Sequence, residues 1–221
     1  MYGRYRFGEH ALSAEFLVAE PLDNKGGAPA FLTGIQNAPG TLAGRPLFIG
    51  RAGYEWQEGR VRLLFSAVNL DRDFEADPSS PRVRLGLVRS GNVKAFAPFV
   101  SAQVNLERWS FTAEYERISL ERRGLFPESA PQFLRDNTSE SYYVQAQYRF
   151  TPRWSAFLRY DVFHANVDDR DGRETAAAVE ALTGVPIPRH RFFAKDLTFG
   201  LRWEFARDWL VAAEYHNVYG T

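Results

Sequence analysis

The sequence predicts an all-β chain: an up-and-down antiparallel transmembrane β-barrel of about ten strands, with short periplasmic turns and long outer loops. Three observations predict it. Polar and apolar residues alternate with a period of two. The alternating stretches run to about 9–11 residues, roughly what a tilted strand needs to cross a bilayer. The connections between them fall into two length classes.

The alternation is explicit. Trp109, Phe111, Ala113 and Tyr115 are interleaved with Ser110, Thr112, Glu114 and Glu116. Tyr142, Val144, Ala146, Tyr148 and Phe150 are interleaved with Tyr143, Gln145, Gln147 and Arg149. Leu197, Phe199, Leu201, Trp203 and Phe205 are interleaved with Thr198, Gly200, Arg202 and Glu204. No helix keeps such a pattern. Strands are expected at 2–8, 11–19, 46–56, 60–70, 82–89, 94–106, 109–119, 142–150, 154–163, 196–205 and 209–218.

Short turns fall at 8–10, 57–59, 107–108, 151–153 and 206–208, and long connections at about 20–45, 71–81, 120–141 and 164–195. Five short turns on one side require an even number of strands between successive turns. Three intervene between 57–59 and 107–108, so ten strands are favoured over eleven, with 82–89 in a loop excursion or Ser90-Gly91-Asn92 as an extra hairpin. Pro98 points to an edge, bulge or strand start. Thr175–Leu182 is Ala-rich and is stopped by Gly184 and Pro186, which predicts a short helix in the 164–195 loop.

A Trp opens three stretches and a Tyr follows six residues later: Trp109 and Tyr115, Trp154 and Tyr160, Trp209 and Tyr215. Six residues along a strand span about 20 Å at roughly 3.3 Å per residue and return to the same face. Amphipathic rings collect at membrane–water interfaces. The expected aromatic girdle is therefore Trp56, Trp109, Tyr115, Phe150, Trp154, Tyr160, Trp203, Phe205, Trp209 and Tyr215. The opposite face is expected to line a lumen with Arg4, Arg6, Arg51, Arg62, Glu114, Glu116, Arg149, Arg159, Asp161, Arg202, Glu204 and Glu214, joined by Glu15, Glu55 and Asp196. Paired across strands these charges are structural ladders; unpaired and facing water they set selectivity.

Composition narrows the classes. The 27 basic and 27 acidic residues balance, which argues against a nucleic-acid partner. The basic residues are Arg except for Lys25, Lys94 and Lys195, and Arg suits fixed, paired charge. There is no Cys, hence no disulfide, thiolate metal site or Cys nucleophile. No apolar run reaches the roughly 18–20 residues of a membrane helix, which leaves a barrel open. No apolar leader opens the chain, which fits a cytosolic protein or a mature or partial chain.

The stretches "FAPFVSAQVNLERWSFTAEYER" (96–117), "YRFTPRWSAFLRYDVF" (148–163) and "FFAKDLTFGLRWEFARDWLVAAEYHNVYGT" (192–221) resemble strand–turn–strand units of Gram-negative outer-membrane porin-like β-barrels. The resemblance implies one barrel domain over 1–221, a bacterial outer-membrane location and lipid as the immediate partner. The chain departs from the family in its lack of a leader, in ending on Gly220-Thr221 rather than a terminal aromatic, and in its strand number. It therefore reads as a piece of a larger barrel or a smaller relative.

Other chemistry is weakly represented. "NVDDRDGRE" (166–174) has Asp169 and Asp171 before Gly172, but Val167 and Ala178 break a calcium-loop pattern, so a solvated loop is expected. His164, His190 and His216 are scattered, with no metal spacing or nucleophile motif. The sequence reads as a non-enzyme without cofactor or metal. It passes small polar solutes or ions through a charged lumen, and a homo-oligomer is compatible with it. Two alternatives stand beside this: a non-conducting outer-membrane scaffold or surface-interaction barrel, and a soluble antiparallel barrel binding an apolar ligand. The last inverts the two faces.

Overall fold

The computed structural model describes residues 1–20, 27–34 and 38–220, so part of the 20–45 connection lies outside the described residues. Eleven strands form one sheet: β1 (Tyr2–Phe7), β2 (His10–Ala19), β3 (Gly40–Gly44), β4 (Leu47–Trp56), β5 (Val61–Ala76), β6 (Gly91–Asn105), β7 (Trp109–Arg123), β8 (Asp136–Thr151), β9 (Trp154–His164), β10 (Phe193–Ala206) and β11 (Trp209–Gly220). The connections hold α1 (Gly27–Thr33), α2 (Pro81–Arg84), α3 (Gln132–Arg135) and α4 (Arg173–Thr183).

The ten long strands follow one another in chain order, each antiparallel to the next. β3 pairs with the far end of β5, in line with β4, which pairs with the near end. β1 and β11 are the outer strands, and no ladder joins them among the described residues. Five tight turns gather at one end and the long connections at the other. Gly8 and Asp208, at φ 56° and 64°, supply the left-handed backbone that two of these hairpins need.

The expected strand at 82–89 is absent. Pro81 begins the short α2 instead, at a helix position its fixed φ favours. No lane is left for another strand, because β5 and β6 pair directly from Val61–Val104 to Phe74–Gly91. The parity conflict disappears with it. Pro98 sits inside central β6, opposite Ala67, rather than at an edge. The ladder to β7 skips Ala97 and Pro98 without changing register.

Several strands are longer than expected: β5 and β8 have 16 residues, β6 and β7 have 15, and β10 has 14. Much of the expected 71–81 and 120–141 loops is therefore strand. The physical reason is an inversion of the alternation. On β7 one face carries Trp109, Phe111, Ala113 and Tyr115, then turns polar with Arg117, Ser119 and Glu121. The other carries Ser110, Thr112, Glu114 and Glu116, then turns apolar with Ile118 and Leu120. β5 does the same: Leu63 and Phe65 give way to Asn69 and Asp71, while Arg62 and Ser66 give way to Leu70 and Phe74.

The apolar residues of that upper, inner-face segment build a core. Leu70, Phe74, Val93 and Leu120 from the sheet pack with Leu32 of α1, Leu42 of β3, Val88 and Leu125. Three long connections thus converge over one face. The fourth, residues 165–192, covers the other face at Glu140, His164 and Phe193, which sit opposite one another in the ladders and are 5–7 % exposed. Arg170 reaches Glu140 at 2.9 Å, and the Tyr115 hydroxyl donates to the same carboxylate at 3.4 Å.

On β7 and its neighbours, below these caps, the burial pattern is the reverse of a soluble sheet. Trp109, Phe111, Tyr115, Val144, Leu158 and Phe199 are 39–53 % exposed. Ser110, Thr112, Glu114 and Glu116 on the opposite face are half-buried. Soluble monomers rarely expose a contiguous apolar surface of this extent.

Candidate functional site: the polar face of the sheet

Residues opposite one another in a ladder share a face, so the register decides the partition. One row runs Arg4, Ser13, Gly53, Leu64, Ser101, Glu114, Tyr143, Asp161 and Asp196. The next runs Arg6, Ala11, Glu55, Arg62, Gln103, Thr112, Gln145, Arg159, Thr198 and His216. Arg51 and Glu116 lie one row above, with Glu15 and Ser66. Arg149, Arg202, Glu204 and Glu214 lie in rows below. All twelve residues expected to line a lumen therefore stand on one face.

Trp56, Trp109, Tyr115, Trp154, Tyr160, Trp203, Trp209 and Tyr215 stand on the other face, with Phe150 and Phe205 beside them where the hairpin ladders shift register. Tyr115 faces Tyr142, Tyr160 faces Val144, and Tyr215 faces Phe199, itself opposite Leu158. The tyrosines thus step two residues toward the short turns per hairpin. A level belt on tilted strands takes this diagonal course.

Charge on the polar face is divided. Arg4, Arg6, Arg51 and Arg62, with Glu15 and Glu55, occupy β1–β5. Glu114, Glu116, Asp161, Asp196, Glu204 and Glu214, with Arg149, Arg159 and Arg202, occupy β7–β11. One flank is basic and the other acidic, a division that the overall balance of charge conceals.

Several of these groups are held. Arg4 donates to Glu55 at 2.6 Å and Arg51 to Glu15 at 3.4 Å. Arg159 Nε lies 2.8 Å from both oxygens of Asp161, and its guanidinium sits 4.2 Å over the Tyr143 ring. Ion pair and ring together fix the guanidinium plane. Glu114 accepts from Ser101 and Glu116 from Ser141, each at 3.2 Å. These groups surround a recess of about 270 Å³ whose remaining wall includes Phe99, Phe163 and Ala194. Arg202 lies 5.7 Å over the Phe157 ring, which covers the bare backbone of Gly200.

The histidines do not assemble. His164 Nδ1 lies 2.9 Å from the Arg170 carbonyl on the opposite face, and His190 lies in the 189–192 turn. His216 Nδ1 lies 2.6 Å from Asp196 and 3.1 Å from Thr198. Asp196 and Thr198 share Nδ1, and Glu214 lies 3.5 Å from the other ring nitrogen, Nε2. Asp169 accepts the Thr175 N–H at 2.7 Å at the start of α4. Burial raises its pKa, and the N–H donors of Thr175, Glu174 and Arg173 outweigh burial, leaving it below the ordinary value of 3.8. Asp171 pairs with Arg173 at 2.9 Å.

Sequence reading placed Thr112, Tyr143, Gln145 and Thr198 on the polar face but named none of them, nor Gln103, among the lumen residues. Their parity was legible, but only the ladders show which charged groups they touch.

No protein-family model matches the sequence, and no curated protein does. The structure is similar to the outer membrane channel DcaP of Acinetobacter baumannii, with a TM-score of 0.61 and 13% identity. It is aligned over 98% of this chain and 55% of that one, so the chain spans about half that channel's length. The Ralstonia pickettii toluene transporter TbuX aligns with a TM-score of 0.39 and 12% identity, over 98% of this chain and 68% of that one. The P. putida toluene transporter TodX aligns with a TM-score of 0.35 and 11% identity, over 98% and 66%. The fold is that of an outer-membrane β-barrel.

Proposed function

We propose that the chain forms the wall of an outer-membrane passage. Small polar solutes or ions would cross passively along the polar face, with no chemistry performed on them. The girdle side would meet lipid, the short turns the periplasm, and the long connections the cell exterior. One observation carries this reading: in the middle of the sheet, below the caps, Trp109, Phe111, Tyr115, Val144 and Leu158 on the apolar face are exposed while Glu114, Glu116, Arg159 and Asp161 on the charged face are half-buried. That inversion suits a sheet with hydrocarbon outside and water inside. A soluble barrel holding an apolar ligand needs its apolar face covered.

Purified chain refolded into a planar bilayer tests the reading. Discrete, long-lived conductance steps are expected, with a reversal potential in a salt gradient that reports the balance of the two charged flanks. Chain that is inserted but electrically silent would sink it. A second reading, a closed scaffold barrel, is favoured by the three connections packed over the upper polar face, and inserted but silent protein is what it predicts.

A further inference from the structure

The recess of about 270 Å³ in the middle of the polar face is walled by two neighbouring ladder rows. The upper row is Phe99, Glu116, Ser141, Phe163 and Ala194. The lower row includes Glu114, Tyr143, Asp161 and Asp196. The hollow has a simple cause. Ser141 and Ala194 are small and stand directly on either side of Phe163, so a large ring is flanked by two gaps. That ring is 42 % exposed.

Charge in the recess does not cancel. Arg159 is bound to Asp161 and lies over the Tyr143 ring. Asp196 is bound to His216. Glu114 and Glu116 accept from serine hydroxyls, and no basic side chain among the described residues forms an ion pair with either. They leave the same face of β7 from positions two apart, roughly 7 Å along the strand.

That spacing and the rings choose among ligands. A hard metal ion needs several oxygens drawn to one point. Among the described residues no group of three or more acidic or histidine side chains is placed to hold one. An anion would meet Glu114 and Glu116 while Arg159 is already bound to Asp161. A cation carried on an apolar frame suits both features, because carboxylates attract its charge and ring surface attracts charge and frame together.

We propose that this recess binds organic cations, an ammonium or guanidinium group on an apolar frame, with the charge beside Glu114 and Glu116 and the frame against Phe163. That such cations are a solute class of the passage rests on the passage reading above; the binding site does not.

The test is calorimetric titration of the full chain, refolded in detergent, with benzyltrimethylammonium, benzyl alcohol and benzoate. The ammonium should bind at least about tenfold more tightly than the alcohol, and benzoate should not bind. Glu114→Gln combined with Glu116→Gln removes the charge at nearly constant shape and should weaken ammonium binding at least about tenfold. Ser141→Phe fills the hollow, keeps both carboxylates and should abolish binding. Equal affinity for ammonium and alcohol overturns the site, as does ammonium binding that survives either variant. If the double variant does not fold, Glu116→Gln alone carries the test with a smaller loss expected. In a planar bilayer the same ammonium should reversibly reduce wild-type current. Binding without any effect on current overturns the solute claim. A wild type that inserts without conducting removes the passage reading, while the titration still decides the site.

Discussion

Trp154 and Trp203 stand directly opposite each other in the β9–β10 ladder and stack face to face, ring centroids 5.2 Å apart and planes 10° from parallel. They lie beside the short turns on the apolar face, with Phe205 5.3 Å from Trp203. Aromatic pairs of this kind contribute about 0.5–1.5 kcal/mol beyond the area they bury. Trp154→Asp removes the pair and places a charge at the edge of the girdle, where a charge costs up to about 1 kcal/mol. The expected result is insertion into liposomes reduced by roughly an order of magnitude. Normal insertion of Trp154→Asp would mean that the two faces have been assigned the wrong way round.

Arg159→Ala should fold and insert like wild type, because its contacts lie on the polar face and are partly exposed. It leaves Asp161 without its ion-pair partner, beside Glu114. Open-channel reversal potential should move toward cation preference. A shift toward anions, or none, would show that Arg159 does not face the conducting water.

Gly200 has no room for a side chain. A Cβ built there collides with the Phe157 ring. Gly200→Val must push Phe157 away from Arg202 and open the β9–β10 pair locally, at a cost of about 1–3 kcal/mol. The unfolding midpoint in urea should fall, and Gly200→Val with Phe157→Ala should recover part of the loss. Equal stability of Gly200→Val and wild type would contradict the packing.

The start of α4 should loosen in acid. Asp169 has a folded pKa below its unfolded value, so its stabilisation is full above the unfolded value of 3.8 and is lost as pH falls through the folded one. Amide exchange across 173–183 should accelerate as pH drops below about 4, after correction for intrinsic exchange. Asp169→Ala should show the acid-state protection at neutral pH, a local loss of about 1 kcal/mol. Protection independent of pH in the wild type would exclude this cap.

Much of the sheet was legible because period two is a strong signal in the segments that carry the aromatic girdle. Trp109 to Glu116 could be assigned to faces by eye, and the ladders separate the same residues. The strand tops were not legible, because the alternation changes phase there: the expected strand stops at residue 119, although Leu120 to Arg123 continue it. Residues 82–89 misled for a related reason. Val83, Leu85 and Leu87 alternate, yet the competing pairing of β5 with β6 is a non-local fact that no window contains. The polar face was legible as parity but not as a set of contacts. The Arg159–Asp161 pair lies along one strand, whereas Tyr143 reaches them only across the ladder. Arg72 and Arg122, 1 % and 6 % exposed, looked like ordinary loop arginines, since their burial depends on contacts with residues some thirty to ninety positions earlier.

The change of phase has a use as a depth mark. On β5 it falls between Phe65 and Asn69, on β6 between Phe96 and Lys94, on β7 between Tyr115 and Arg117, and on β8 between Tyr142 and Glu140. On β5 and β7 both sides swap roles at this height, whereas on β8 Tyr142 gives way to Glu140 while Ser141, Ser139 and Asn137 stay polar. On the passage reading, the waterline is written into each of these four strands separately. A profile that tracks the sign of the alternation would draw the tilt of the whole wall, while one that averages over the strand would cancel it.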